Sequence, residues 1–228
     1  MSDRRLAILG SLLGLTLLVY AMVGVRVLYS GSPHYGALVW NLFLAWIPFV
    51  LALAVYDGFR RGASRTLLLA GGALWLLFFP NAPYIVTDLK HLRAWDGAPI
   101  WFDVVMASAA AWAGLALGFV SLYLMQTMVR RLVGTVNAWL FVLAVLALSS
   151  FGIYLGRFQR WNSWSVFTSP GRFAHNVWPQ LAQPHEHPKT VAVTLLFTVF
   201  LAATYLVFYS FARPSMFENP SAGSERRY

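Results

Sequence analysis

Charge is scarce in this chain, and cysteine is missing altogether. Only 11% of the 228 residues are charged and 59% are hydrophobic, whereas a soluble domain usually has about a quarter charged and fewer than half apolar residues. The composition predicts one polytopic membrane domain, with no room for a large soluble domain beside it. The lack of cysteine excludes disulfide bonds and thiolate chemistry.

Common signatures of catalysis and cofactor binding are also missing. The sequence has no P-loop, no dinucleotide-binding fingerprint and no G-x-S-x-G motif. The run HEHPK at 185–189 lacks the spacing of the zinc motif H-E-x-x-H, and Pro184 and Pro188 argue against a helix there. The sequence therefore predicts no metal site and leaves any cofactor unspecified.

Long apolar runs dominate what is present. A helix needs about 20 apolar residues to cross the hydrocarbon core of a bilayer. The expected fold is all-α, a six-helix transmembrane bundle forming a single membrane domain over 1–212, followed by a loose cytoplasmic tail at 213–228. The predicted spans are 6–25, 38–56, 66–79, 104–129, 132–155 and 190–212.

The net charge of +9 lies mainly in the connections between these runs, so it predicts topology rather than a nucleic-acid surface. With a cytoplasmic N-terminus, ten Lys and Arg lie on the cytoplasmic side and seven on the other. The short connections GFRRGASR and VRRLVG are basic and lack acidic residues, as cytoplasmic connections do. We expect a multi-pass protein of the cell membrane with both termini in the cytoplasm.

The segment after the third span combines a helix break with a polar cluster. Pro80 is expected to end the span at Phe79, and Asn81 is expected to cap a new short helix. On that helix one face would hold Tyr84, Asp88, His91 and Trp95. The segment is predicted to be an interfacial or re-entrant helix at the extracytoplasmic end.

A long, aromatic-rich connection precedes the sixth span and is predicted to lie at the same end. An aromatic belt with arginines that bind lipid headgroups would account for it. A sharper hypothesis is one polar pocket shared by the two connections. Its members would be Asn81, Asp88, His91, Asp103, Arg157, Arg160 and Asn162.

Two motifs in these connections resemble one family. FFPNAPYIVTDLKHL and GIYLGRFQRWNSW resemble the DUF1361 family of small polytopic prokaryotic membrane proteins, and the resemblance covers roughly 38–212. It implies a membrane fold of this kind but no reaction, because the function of the family is unassigned. The positions that match its motifs are Asn81, Pro83, Tyr84, Asp88, His91, Arg157, Arg160, Trp161, Asn162 and Trp164.

Three kinds of function stay open. An accessory or structural membrane role is the default, in which the polar cluster fixes the bundle. An enzyme acting on a lipid or lipid-linked anionic substrate would use His91 as acid or base, with Asp88 or Asp103 orienting it. A metal-dependent version of that enzyme would use the same three side chains as ligands.

A small transporter or lipid-handling protein is the third possibility. In this and the enzyme hypothesis, the substrate-binding residues would be Asn81, Tyr84, Arg157, Arg160 and Asn162. The expected partners are the lipid bilayer, an anionic headgroup or lipid-linked substrate, and a second copy of the chain. Nucleic acid is not among them.

Overall fold

A computed structural model describes residues 3–93, 97–161 and 168–212, and these residues form helices and short connections without a strand. Six of its helices are long and apolar enough to cross a membrane, which confirms the predicted all-α transmembrane bundle. The α-helices are α1 Asp3–Ser30, α2 Gly36–Arg60, α3 Arg65–Phe78, α4 Asn81–Tyr84, α5 Ile100–Val133, α6 Thr135–Gln159, α7 Pro170–Ala182 and α8 Pro188–Ala212. The 3₁₀ helix Ile85–His91 follows α4 directly.

The long helices run alternately up and down, which gives the bundle two ends. At the first end, Arg5 near the start of α1 forms an ion pair with Asp57 near the end of α2 at 2.7 Å. At the second end, Arg26 near the end of α1 pairs with Asp103 in the first turn of α5, also at 2.7 Å. The described residues of the connections 79–99 and 160–187 therefore lie at the second end.

The connection between α5 and α6 is a single residue at the first end. Gly134 has φ +86° and ψ 174°, a region of backbone space that is open essentially only to glycine. Arg130 and Arg131, which the sequence places in a connection between spans, lie in the last turn of α5. Cations there interact favourably with the negative end of the helix dipole.

The chain breaks after α3 as the two prolines predict, but the expected cap is wrong. Pro80, not Asn81, is the residue that precedes α4. The Asn81 side-chain nitrogen instead donates a hydrogen bond to the Phe78 carbonyl at 2.9 Å. Asn81 thus satisfies an acceptor at the end of α3, where helical carbonyls have lost their usual donors.

We define residues 80–91 as the break segment. Its N-terminal half packs inside the bundle. Ala82, Pro83 and Ile85 are buried. A methyl group at Gly114 of α5 would come within 2.5 Å of the Ala82 carbonyl oxygen, and one at Gly152 of α6 within 3.0 Å of Pro80. The glycines of GLALG and GIYLG therefore let the break segment approach α5 and α6 closely.

The outer surface of the bundle is apolar. Leu17 of α1 is 64% exposed and Val199 of α8 is 67% exposed, as expected for side chains that face lipid. The long connection before α8 contains the amphipathic helix α7, whose Val177 is buried and whose Phe173 packs against Trp161 with ring centres 5.5 Å apart. α7 thus covers the second end beside α6.

Candidate functional site

Arg157, in the last turn of α6, joins α6 to the break segment. Its Nε donates to Thr87 Oγ1 at 2.8 Å, and its Nη2 donates to Asp88 Oδ1 at 2.5 Å. The guanidinium also lies over the Tyr84 ring, 4.8 Å from its centre. One planar, always-charged group thus binds three side chains along one face of the segment.

The second carboxylate oxygen of Asp88 connects the same group to α2. Asn41 Nδ2 donates to Asp88 Oδ2 at 2.7 Å, while Oδ1 is bound by Arg157. Asp88 and Arg157 are each 11% exposed, so the ion pair is largely but not wholly removed from solvent. We call Asn41, Thr87, Asp88, His91 and Arg157 the arginine network.

His91 is the outermost member of the arginine network. Its Nε2 lies 2.7 Å from Arg157 Nη1. Because a guanidinium has donors and no acceptor, Nε2 must accept this hydrogen bond, and the ring proton of His91 must be on Nδ1. In this arrangement the imidazole lone pair is engaged by a cation, while the ring edge stays exposed.

A cavity of about 780 Å³ lies beside the arginine network. Its walls are mainly apolar side chains of α2, α3 and α6, and α7 contributes Phe173 and Val177. Polar groups gather toward the second end, where Asn41, Asn81, Tyr84 and Arg160 line it. Ligand cavities in proteins have this size and this division between apolar walls and a few polar groups.

The structure brings together most of the residues that the sequence singled out. Arg157 lies within hydrogen-bonding distance of both Asp88 and His91. Asn81, Tyr84 and Arg160 line the cavity next to them. Arg160 follows α6 in the left-handed conformation, with φ 59°. Asn162 and the motif position Trp164 lie outside the described residues.

Asp103 is paired with Arg26 instead of with a member of this group, so the proposed trio of Asp88, His91 and Asp103 stays a prediction. Its two carboxylate oxygens accept hydrogen bonds from Arg26 Nε at 2.7 Å and Nη2 at 3.3 Å. Arg26 also lies over the Tyr35 ring at 5.6 Å. Burial, with the charge of Asp103 close by, raises the pKa of the Tyr35 phenol.

Sequence reasoning missed Arg26 and Thr87. Arg26 lies at the end of an apolar run, where it resembles an ordinary flanking cation, and Thr87 is an unremarkable residue between the motif positions. Asn41 was the only polar residue within its predicted span apart from ring-bearing side chains, which was a usable signal. In the described part of the chain, no cluster of three His, Cys, Asp or Glu residues is arranged to hold a metal ion.

Comparison with known proteins gives a family and nothing more specific. No curated protein and no solved structure matches the chain. The family described as "Protein of unknown function (DUF1361)" matches residues 40–204, which include both motifs, the arginine network and every residue that lines the cavity. The chain belongs to the DUF1361 family.

Proposed function

We propose that this protein is a lipid-handling membrane protein that binds the hydrocarbon chain of a bilayer or lipid-linked amphiphile in the cavity. The observation that carries the proposal is the cavity of about 780 Å³, with apolar walls and polar groups at one end. An amphiphile has the same division, because its chain is apolar and its headgroup is polar.

The position of two wall residues supports entry from the bilayer. Trp40 and Leu148 line the cavity, yet they are 59% and 53% exposed. Leu148 lies roughly 20 Å along α6 from the first end, which is inside a hydrocarbon core of about 30 Å. Leu148 therefore exposes an apolar part of the cavity rim to the hydrocarbon core, and lipid chains can reach the cavity from the side there.

The arginine network has a structural role in this proposal. It ties α2 and α6 to the break segment, and these elements supply most of the cavity wall. By helix rise, Asn41 and Arg157 lie roughly 28–33 Å from the first end, near the opposite interface of the bilayer. There the network holds the polar end of the cavity in shape.

Catalysis by His91 has less support than binding. A general base needs a free lone pair within reach of a substrate proton, and His91 Nε2 is bound to Arg157. Asp88 is similarly committed to Arg157 and Asn41. An accessory role in which the network only fixes the bundle is the second candidate, and it predicts that no lipid occupies the cavity.

The two candidates differ in what purified protein retains. Native mass spectrometry of detergent-purified, partly delipidated protein should detect one tightly held lipid per chain. Ala73 lines the cavity and is exposed, so Ala73→Trp should project a large side chain into part of the space without displacing a core residue. We expect this variant to lose most of the lipid that the wild type retains.

Ala70→Trp is the matched control. Ala70 is exposed on the same helix but is not among the residues that line the cavity. It should retain lipid as the wild type does. Equal retention by Ala73→Trp and Ala70→Trp, or no lipid retained by the wild type, would overturn the proposal.

We also propose that the second end faces away from the cytoplasm, on the basis of the ten-to-seven charge distribution. Because the chain has no cysteine, a single introduced one is a unique label. Gln183→Cys at the second end should react with an impermeant maleimide in intact cells, and Ala63→Cys at the first end only after permeabilisation. The reverse pattern would refute this orientation.

A further inference from the structure

At the second end of the bundle, around the polar end of the cavity, the described residues carry more positive than negative charge. The acidic side chains Asp88 and Asp103 are already paired with Arg157 and Arg26, and Glu186 lies 3.9 Å from His185. Within the described ranges, no carboxylate pairs with Lys90, Arg160 or Lys189. Those three cations have no protein counterion there.

Two of these cations meet at one aromatic ring. Lys90 Nζ lies 5.8 Å, and Lys189 Nζ 4.5 Å, from the centre of the Phe158 ring. The ring faces of aromatic side chains attract cations, so Phe158 draws two like-charged ammonium groups toward one ring. An anion bound beside them would offset this local positive charge.

Phe158 places these ammonium groups next to the cavity. It follows the wall residue Phe151 by two helical turns, so it lies on nearly the same face of α6, roughly 10 Å closer to the second end. Arg160 follows α6 two residues after Phe158 and itself lines the cavity. The three cations therefore all lie at the second end of the bundle, the end at which the headgroup of a lipid with its chain in the cavity would be.

We propose that this end of the cavity binds a net-anionic phosphate headgroup, held by Arg160 at the cavity and by Lys90 and Lys189 beside it. The inference rests on the proposed function and specifies its ligand class. Diacyl phospholipids and polyprenyl phosphates share this chemistry. Arginine and lysine both bind phosphate oxygens, arginine with a two-pronged geometry.

The test compares lipids that differ only in the headgroup. Delipidated protein is titrated with dioleoylphosphatidylglycerol and with dioleoylphosphatidylcholine, and the bound fraction is measured by native mass spectrometry. We expect the anionic lipid to bind at least about fivefold more tightly, since each Lys or Arg near a membrane surface contributes about a factor of five. A titration with polyprenyl phosphate then shows whether the tighter ligand is a bilayer lipid or a lipid-linked carrier.

Arg160→Asn should remove about fivefold of the headgroup preference. Asparagine tolerates the left-handed backbone that Arg160 adopts, so the variant should fold, as unchanged binding of the phosphatidylcholine would show. Arg172→Gln removes a charge from an exposed position of α7 at the same end, and Arg172 is not among the residues that line the cavity. It should leave the preference unchanged.

The outcomes separate this inference from the proposed function. Equal affinity of the wild type for the two lipids, or equal effects of Arg160→Asn and Arg172→Gln, would overturn the headgroup inference. The cavity proposal would still stand if Ala73→Trp abolished binding of both lipids. No binding of either lipid would overturn both.

Discussion

Two arginine–aspartate pairs lie at the second end of the bundle, and they differ in burial and in the groups that surround them. Arg26 and Asp103 are 2% and 0% exposed, and their neighbouring cavity of about 200 Å³ is lined almost entirely by apolar side chains. Arg157 and Asp88 are each 11% exposed. They form hydrogen bonds with Thr87 of the break segment and with Asn41 of α2, which also lines the large cavity.

The comparison shows that deep burial and proximity to a site are separate properties. A charge inside a membrane domain is often a functional residue, and by burial alone Arg26–Asp103 would be the better candidate. Its position argues for structure, because it ties α1 to the first turn of α5. The less buried pair is the one beside a cavity with polar groups at its end.

The largest expected effect is on the more buried pair. Asp103→Ala leaves the Arg26 guanidinium buried without its carboxylate, which should cost about 3–5 kcal/mol of unfolding free energy. The measurement is denaturation of the purified protein by sodium dodecyl sulfate in mixed micelles, followed by intrinsic fluorescence.

The double substitution Arg26→Met with Asp103→Leu is the control, because it removes both charges and keeps a similar apolar volume. It should recover most of the stability, as replacing a whole buried pair often does. A loss below about 1 kcal/mol in Asp103→Ala would mean that the pair is hydrated and not structural.

More of the fold than of the candidate site could be predicted from the sequence. Apolar runs define membrane-crossing helices almost directly, because each must cover the same hydrocarbon thickness. Alternation of the spans then puts 80–91 and Arg157 at one end, which is how Asp88, His91 and Arg157 could be grouped from sequence. In the structure Arg157 contacts both Asp88 and His91.

The side-chain partners could not be predicted in the same way. Asp103, in the first turn of a long helix, equally fits a helix-dipole role, and its pairing with Arg26 depends on how α1 packs against α5. Asn81 after a proline fits a helix cap, but the chain turns so tightly that its amide reaches back to the Phe78 carbonyl. Cavities likewise depend on the space that packing leaves between helices.

The second prediction concerns the arginine network, where the expected effect is smaller. Arg157→Gln removes a charge-assisted hydrogen bond to Asp88 and should cost about 1.5–3 kcal/mol. The cost should be below that of Asp103→Ala because Asp88 is 11% exposed and keeps its hydrogen bond from Asn41. The same detergent denaturation measures it.

Lipid retention of the folded Arg157→Gln protein sharpens the comparison. If the network shapes the polar end of the cavity, this variant should retain less lipid than the wild type at a detergent concentration that leaves it folded. The double variant Arg26→Met with Asp103→Leu should retain as much lipid as the wild type.

Arg5→Gln is a reference for an exposed pair, since Arg5 and Asp57 are 33% and 30% exposed. It should lower the unfolding free energy by less than about 1 kcal/mol. Equal lipid retention by all three variants would mean that the arginine network stabilises the bundle without acting on the cavity, and the two ion pairs would then differ only in burial.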